Sequence, residues 1–147
     1  MGDDTLVCRY VSLIKKYFPG VEVCSYSAVS EGWDCFAVEI DRTHMFRFAR
    51  RPEVRSQLEK EALLLPRLVE ALSVPVPNPE FICTSPGPGE PAFIGYRKIH
   101  GEPLAVGRLS CEGAARLARQ RACFLSELHG FPLEKAKKSK VPYFDPP

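Results

Sequence analysis

The chain has 147 residues, of which 45 % are hydrophobic and 26 % charged, as is typical of one globular domain. Its 20 basic and 18 acidic residues leave a net charge of +2, without the strong basic excess of nucleic-acid-binding domains, although binding of a small anion stays open. The N-terminus lacks a basic segment followed by an apolar run, and no stretch approaches a membrane-spanning length. We therefore expect a cytoplasmic protein with no nucleic-acid and no membrane partner.

Six cysteines are spread along the chain, and none of them forms a CxxC pair. The three histidines are not spaced to complete a zinc site with them. Because no secretory signal is evident, we expect reduced thiols, most of them packed as small hydrophobic side chains.

The residue pattern in the first half of the chain predicts a helix followed by strands. Apolar residues at helical spacing predict the helix over residues 4–18, which Pro19 and Gly20 end. The pattern then predicts three strands, at residues 21–29, 36–40 and 44–49. A hairpin loop of three residues, 41–43, joins the last two strands.

Helical spacing returns over residues 53–72, after Pro52, which suits a first helical position. Pro66 inside this pattern removes a backbone donor and predicts a kink or a split there. Two further strands are predicted, at residues 80–85 and 91–99. A last helix covers residues 110–128, and the basic, proline-rich segment after Gly130 predicts an extended tail.

The stretch HMFRFARR, residues 44–51, carries an arginine in the middle of an apolar strand. Strand alternation places Arg47 on the face opposite Phe46 and Phe48. In the helix that follows, Glu61 falls inside the apolar stripe, where a carboxylate needs a partner or must be protonated. Two arrangements satisfy Glu61: an ion pair with Arg47, or a helix rotated enough to bring the carboxylate to solvent.

Six segments in order resemble the aminoglycoside phosphotransferase family, which has a protein-kinase-like fold. They are EGWDCFAVEID, MFRFARR, LEKEALLLPRL, VPVPNPEF, FIGYRKIHGEPL and FLSELHGF, within residues 25–130. The likeness is greatest to members that modify a 2″-hydroxyl. It implies an α+β fold like a kinase N-terminal lobe: a five-stranded antiparallel sheet with one packed helix, flanked by an N-terminal and a C-terminal helix.

The resemblance also implies a site for ATP or GTP. Its residues are expected to be Ser30, Glu31, Gly32, Trp33, Arg47, Glu61, Arg97 and Ile99. The first four match the loop over the nucleotide phosphates, and the next two match a basic strand residue and its helix glutamate. The last two match the segment between the lobes whose backbone binds the nucleobase. Cys35 stands where many relatives have asparagine. If the resemblance is set aside, the loop is interpreted as an ordinary hairpin turn, and residues 97–99 are interpreted as part of an edge strand.

The family's catalytic residues are not found in this chain. A pattern like HxDxxxxN is absent after His129, as is the aspartate that holds Mg²⁺ in the full-length family, and phosphoryl transfer needs both. Asp145 is the only aspartate in that part, and no asparagine follows it. We therefore expect a chain truncated before the catalytic lobe, with no catalytic residue and no metal ligand. Whether it is an enzyme stays open, and a small-molecule hydroxyl acceptor is expected only if a C-terminal lobe is supplied.

These assignments also divide the chain. The parts are an N-terminal helix (1–20), the nucleotide-binding lobe (21–100), a connection with the first helix of the missing lobe (101–130) and a basic, proline-rich tail (131–147). An alternative is a non-catalytic interaction protein that uses the apolar stripe of helix 110–128, for self-association or for another partner. A third hypothesis is an unrelated α+β domain in which Arg47 and Glu61 form a purely structural ion pair.

Overall fold

A computed structural model describes residues 2–29, 32–101 and 109–142. The elements are α1 (Gly2–Tyr17), β1 (Tyr26–Val29), β2 (Cys35–Ile40), β3 (His44–Ala49), α2 (Pro52–Ala71), β4 (Pro79–Cys83), β5 (Phe93–Arg97), α3 (Cys111–His129) and α4 (Leu133–Lys138). The strands form one sheet in the order β1-β2-β3-β5-β4, and every neighbouring pair is antiparallel. The predicted α+β fold with a five-stranded antiparallel sheet is confirmed.

The larger core lies between α1 and one face of the sheet. Phe46, Phe48 and Phe93 have no exposed surface there, and the ring of Tyr10 stacks on that of Phe48 at a centroid distance of 4.2 Å. α1 contributes a buried apolar stripe, made of Val7, Tyr10, Val11, Leu13 and Ile14. Since burying one large apolar side chain contributes about 1.5–3 kcal/mol, α1 is an integral part of the sheet's core.

The opposite face of the sheet is covered by α2. Val54 and Leu58 of this helix are buried in one cluster with Ile94 of β5. The helix runs unbroken through Pro66, so the predicted split at this residue is wrong. The proline removes only one backbone hydrogen bond, and helical bonding has resumed by the cap, where the N–H of Leu72 donates to the carbonyl of Leu68.

The loop between β2 and β3 is the predicted hairpin connection. Asp41 and Arg42 both adopt left-handed backbone angles, with φ of 50° and 58°. The Asp41 carboxylate accepts the backbone N–H groups of Cys24 and Ser25, at 3.0 and 2.5 Å. These bonds stabilise a backbone conformation that aspartate tolerates better than most residues, and they fix the segment before β1 to the hairpin.

The segment after Gly130 is not extended as predicted, because α4 occupies Leu133–Lys138. Ser139, which ends α4, is fully buried, and its hydroxyl accepts a hydrogen bond of 2.5 Å from Arg67 of α2. A short helix held by such polar contacts has little hydrophobic periodicity for a sequence to display. Residues 143–147 of the predicted tail lie outside the described residues. Across the described ranges, no helix combines the length and the apolar character needed to span a membrane.

Gly95 of β5 lies opposite Phe46 of β3, and a Cβ atom at this glycine would be only 2.4 Å from the buried phenyl ring. We expect Gly95→Ala to lower the free energy of unfolding by about 1–3 kcal/mol, because the ring has no free space to move into. Urea unfolding measures the change. The matched control is Gly20→Ala, whose Cβ would meet nothing within 4 Å and should cost less than about 0.5 kcal/mol. Equal stability of the two variants would contradict this packing.

Candidate functional site

A cavity of about 420 Å³ opens on the face of the sheet that α2 covers. Three strands and the turn before β2 form its walls, because alternate residues of β2, β3 and β5 point to this face. The lining residues are Gly32, Trp33, Asp34, Cys35, Ala37, Met45, Arg47 and Tyr96. The described part of the cavity wall therefore holds one cation, Arg47, and one carboxylate, Asp34, among side chains that are otherwise uncharged.

Arg47 projects from the middle of β3 towards α2 and pairs with Glu61. Its Nη1 atom lies 2.5 Å from Oε2 of Glu61, and its Nη2 atom lies 3.5 Å from Oε1. The structure thus has the ion pair rather than a rotated helix that takes Glu61 to solvent. Although burial acts to lower the pKa of Arg47, the charge and hydrogen bond of Glu61 raise it above its usual value. The guanidinium is held in one orientation at the cavity wall.

Two other titratable groups of the cavity wall are neutral at physiological pH. Burial raises the pKa of the Cys35 thiol and that of the Tyr96 phenol, while the charge of Arg47 acts in the opposite direction on both. The Nη2 atom of Arg47 also lies 3.7 Å from the sulfur of Cys35. Neither neighbour therefore brings a negative charge to compete with an anionic ligand for the guanidinium.

The turn before β2 brings Gly32 and Trp33 to the cavity. A Cβ atom on Gly32 would lie 2.7 Å from the carbonyl oxygen of Cys35, so the tight turn itself requires glycine. The Trp33 side chain is 94 % exposed. Ser30 and Glu31, the other two residues predicted for this loop, lie outside the described residues.

Arg97 and Ile99 do not line this cavity. The Arg97 side chain is 79 % exposed and lies 3.6 Å from the Glu80 carboxylate. Between the two residues, the N–H of Lys98 donates to the carbonyl of Thr43 at 2.8 Å. The Ile99 backbone has no hydrogen-bond partner within the described parts of the chain. A hydrogen bond to a nucleobase would require backbone groups that are free in this way. The backbone roles of Arg97 and Ile99 stay a prediction.

Five residues of the cavity wall were not among the predicted site residues: Asp34, Cys35, Ala37, Met45 and Tyr96. Strand alternation could have found Met45, since it lies two residues before Arg47 on the same strand. Tyr96 needs more information, because only the pairing of β3 with β5 places it opposite Met45. The family-based prediction found the cation and two loop residues of the cavity, whereas its apolar wall depends on the sheet order.

Within residues 2–29, 32–101 and 109–142, no three acidic, histidine or cysteine side chains are grouped so that they could hold a metal ion.

Comparison with known proteins places this geometry in a family. A family model for the phosphotransferase enzyme family, APH, matches residues 25–145. The solved GDP and kanamycin complex of APH(2″)-IIIa is 33 % identical, with a TM-score of 0.84, over 92 % of this chain and 46 % of that one. The GDP complex of wild-type aminoglycoside 2′-phosphotransferase-IIIa is 32 % identical, with a TM-score of 0.85, over 94 % and 46 % of the two chains.

A more distant structure shares the fold alone. It is the streptomycin–ATP–APH(2″)-IIa ternary complex, which is 20 % identical with a TM-score of 0.69, over 89 % of this chain and 42 % of that one. A search of curated proteins found no match. The chain thus spans about half the length of the structures that it resembles.

We expect Arg47→Met and Glu61→Gln each to lower the free energy of unfolding, and the double variant to lose less than their sum. The coupling should be about 1 kcal/mol, since the two side chains are 30 % and 32 % exposed and solvent screens the pair. Urea unfolding of the four proteins measures it. A control cycle on the exposed pair of Glu134 and Lys137 should couple by no more than about 0.5 kcal/mol. Strict additivity at Arg47 and Glu61 would show that the contact contributes nothing.

Proposed function

The chain belongs to the phosphotransferase enzyme family, and we propose that it is the nucleotide-binding N-terminal lobe of a small-molecule O-phosphotransferase. The phosphoryl donor in this proposal is ATP or GTP. The observation that carries it is the cavity of about 420 Å³, whose wall holds Arg47 oriented by Glu61. Relatives solved with GDP support a nucleotide ligand. The proposed lobe covers residues 21–100, and residues 101–130 are proposed to form the connection and the first helix of a catalytic lobe.

Each part of the proposed site has a physical role. Arg47 presents a planar fork of N–H groups that can bind two oxygens of one phosphate, and its charge does not titrate in the physiological range. Glu61 prevents the long side chain from swinging away, which lowers the entropy lost on binding. The turn at Gly32 and Trp33 covers the phosphates from one side. The backbone of Arg97 and Ile99 is proposed to bind the nucleobase.

The acceptor in this proposal is a small molecule with a hydroxyl group, bound when a C-terminal lobe is supplied. The relative solved with kanamycin supports an aminoglycoside as the acceptor. We place the protein in the cytoplasm, because all six cysteines are free thiols and a reducing compartment preserves them. Mg²⁺ is expected to enter with the nucleotide and the other lobe.

Trp33, the only tryptophan of the chain, lines the proposed site and reports directly on nucleotide binding. Titration with ATP or GTP should produce a weak, saturable change in tryptophan fluorescence. Arg47→Met should weaken this binding about tenfold, because a charge-assisted contact to phosphate is lost. The control Arg116→Met removes the same charge from the exposed surface of α3 and should leave the titration unchanged. A chain that gives no response, or an Arg47 variant that binds equally well, would overturn the proposal.

Phosphate transfer by this chain alone should be absent. The reaction needs an aspartate base to position the acceptor hydroxyl, and no HxDxxxxN pattern follows His129. An assay with ATP or GTP, Mg²⁺ and a panel of aminoglycosides measures turnover against buffer. Turnover that survives Asp145→Asn would contradict the inference that the catalytic residues are missing. Turnover that is lost in this variant would assign chemistry to Asp145.

A second candidate function is that of a non-catalytic interaction protein, and the exposure of α3 favours it. None of its residues is buried, and Leu125 and Leu128 on its apolar stripe are 45 % and 36 % exposed. In this hypothesis two copies of the chain pack along α3, because apolar stripes of this kind associate in water. Sedimentation velocity should then detect a dimer that Leu125→Glu dissociates while nucleotide binding is retained. A monomer at all concentrations would exclude it.

A further inference from the structure

A second and larger cleft, of about 830 Å³, lies between α1, the junction of β3 with α2, and the loop before β5. It shares no lining residue with the cavity that contains Arg47. Four arginines line it, and they come from two segments that are distant in sequence: Arg9 from α1, and Arg50, Arg51 and Arg55 from the end of β3 and the start of α2. The end of the stretch HMFRFARR thus contributes to a basic surface that the proposed nucleotide site does not use.

Two of these arginines have carboxylate partners. Arg51 forms an ion pair with Asp34, and Arg55 lies 3.3 Å from Glu59. Arg9 instead donates to the carbonyl of Gly89 at 3.3 Å, and the Arg50 guanidinium lies 5.4 Å from the centre of the Phe36 ring. Among the described residues, neither Arg9 nor Arg50 forms an ion pair. Within the part of the chain that the structure describes, two guanidinium groups of this cleft thus have no carboxylate partner.

Glu90 is the one carboxylate among the described lining residues, and it is already engaged. Lys16 donates to it at 2.7 Å and the Tyr17 hydroxyl donates at 2.6 Å. The hydrogen bond from Lys16, followed by that from Tyr17, lowers the pKa of Glu90. A positive excess therefore remains in the cleft. Like charges gathered in a concave site repel one another and favour the binding of an anion.

The walls of the cleft are held in place before any ligand binds. The N–H of Gly87 donates to the Tyr17 hydroxyl at 2.8 Å, which fixes the proline-rich loop to α1. The N–H of Arg50 donates to the carbonyl of Asp34 at 3.0 Å, which fixes the backbone that carries this arginine. Tyr10, stacked on Phe48, adds a phenol to the lining. Such preorganisation lowers the entropy lost on binding.

We propose that this cleft is a second anion-binding site, separate from the nucleotide site, and that its ligand is a small molecule with two or more phosphate groups. Arginine forks match phosphate oxygens, and the two unpaired charges of Arg9 and Arg50 need at least two anionic groups to balance them. A volume of about 830 Å³ is typical of small-molecule sites. The net charge of only +2 disfavours nucleic acid as the ligand.

The test is calorimetric titration of the whole chain with inorganic tripolyphosphate at constant ionic strength. The variant Arg9→Gln/Arg50→Gln should bind at least about tenfold more weakly, because two charged contacts are lost. Arg51 is kept in this variant because it also pairs with Asp34 beside the nucleotide site. The control Arg116→Gln/Arg119→Gln removes the same charge from the exposed surface of α3 and should bind within about twofold of the parent chain.

A second variant identifies which site binds the anion. Arg47→Met should retain tripolyphosphate binding, because Arg47 does not line this cleft. Loss of binding in the Arg47 variant, with binding retained in the double variant, would assign the anion to the nucleotide site and overturn the proposal. Equal affinity for sulfate would overturn the choice of a phosphate ligand. If the double variant fails to fold, Arg9→Gln alone, at an exposed position, should weaken binding several-fold.

Discussion

The ion pair between Arg47 and Glu61 connects the two parts of this fold that bear on its function. It joins the central strand β3 to α2 at the wall of the cavity, with nitrogen and oxygen 2.5 Å apart. An unpaired cation or carboxylate at either of these inward-facing positions would lower the stability of the fold. Each group of the pair offsets the desolvation cost of the other. The pair therefore links α2 to the strand that carries the cation of the cavity wall.

Strand alternation divides the sheet into a structural face and a binding face. Phe46 and Phe48 point into the core that α1 covers, whereas Arg47, between them, points the other way. The aromatic core on one side makes the strand rigid. A rigid strand allows one long side chain on its opposite face to hold a defined position. Alternate residues of the same strand therefore serve stability and binding.

The position of α1 explains how a second basic cleft arises beside the first site. α1 fixes the proline-rich loop through Tyr17 and Lys16, and it brings Arg9 towards the arginines at the start of α2. The Arg51–Asp34 pair lies between the two cavities, since Arg51 lines one and Asp34 lines the other.

Local patterns in the sequence predicted most of the regular elements, and they gave the contact of Arg47 with Glu61 as one of two possible arrangements. The strand over 44–49 was predicted with its observed ends, and Glu61 was identified by its place within the apolar stripe of the helix. These features depend on short-range periodicity. The family resemblance supplied Gly32 and Trp33 as site residues, which periodicity alone would have assigned to a hairpin turn.

Other features were decided only by the tertiary structure, because they depend on which distant segments meet. The continuity of α2 through Pro66 reflects packing that outweighs the loss of one hydrogen bond, and α4 forms where a polar contact to Arg67 holds it. Tyr96 joins the cavity only because β5 pairs with β3, and the four-arginine cleft exists only because α1 packs beside the start of α2. The sequence by itself determined which segments have helix or strand periodicity and where the charged residues stand in them. Only the packing of segments far apart in the chain determined which of those charges face a common ligand.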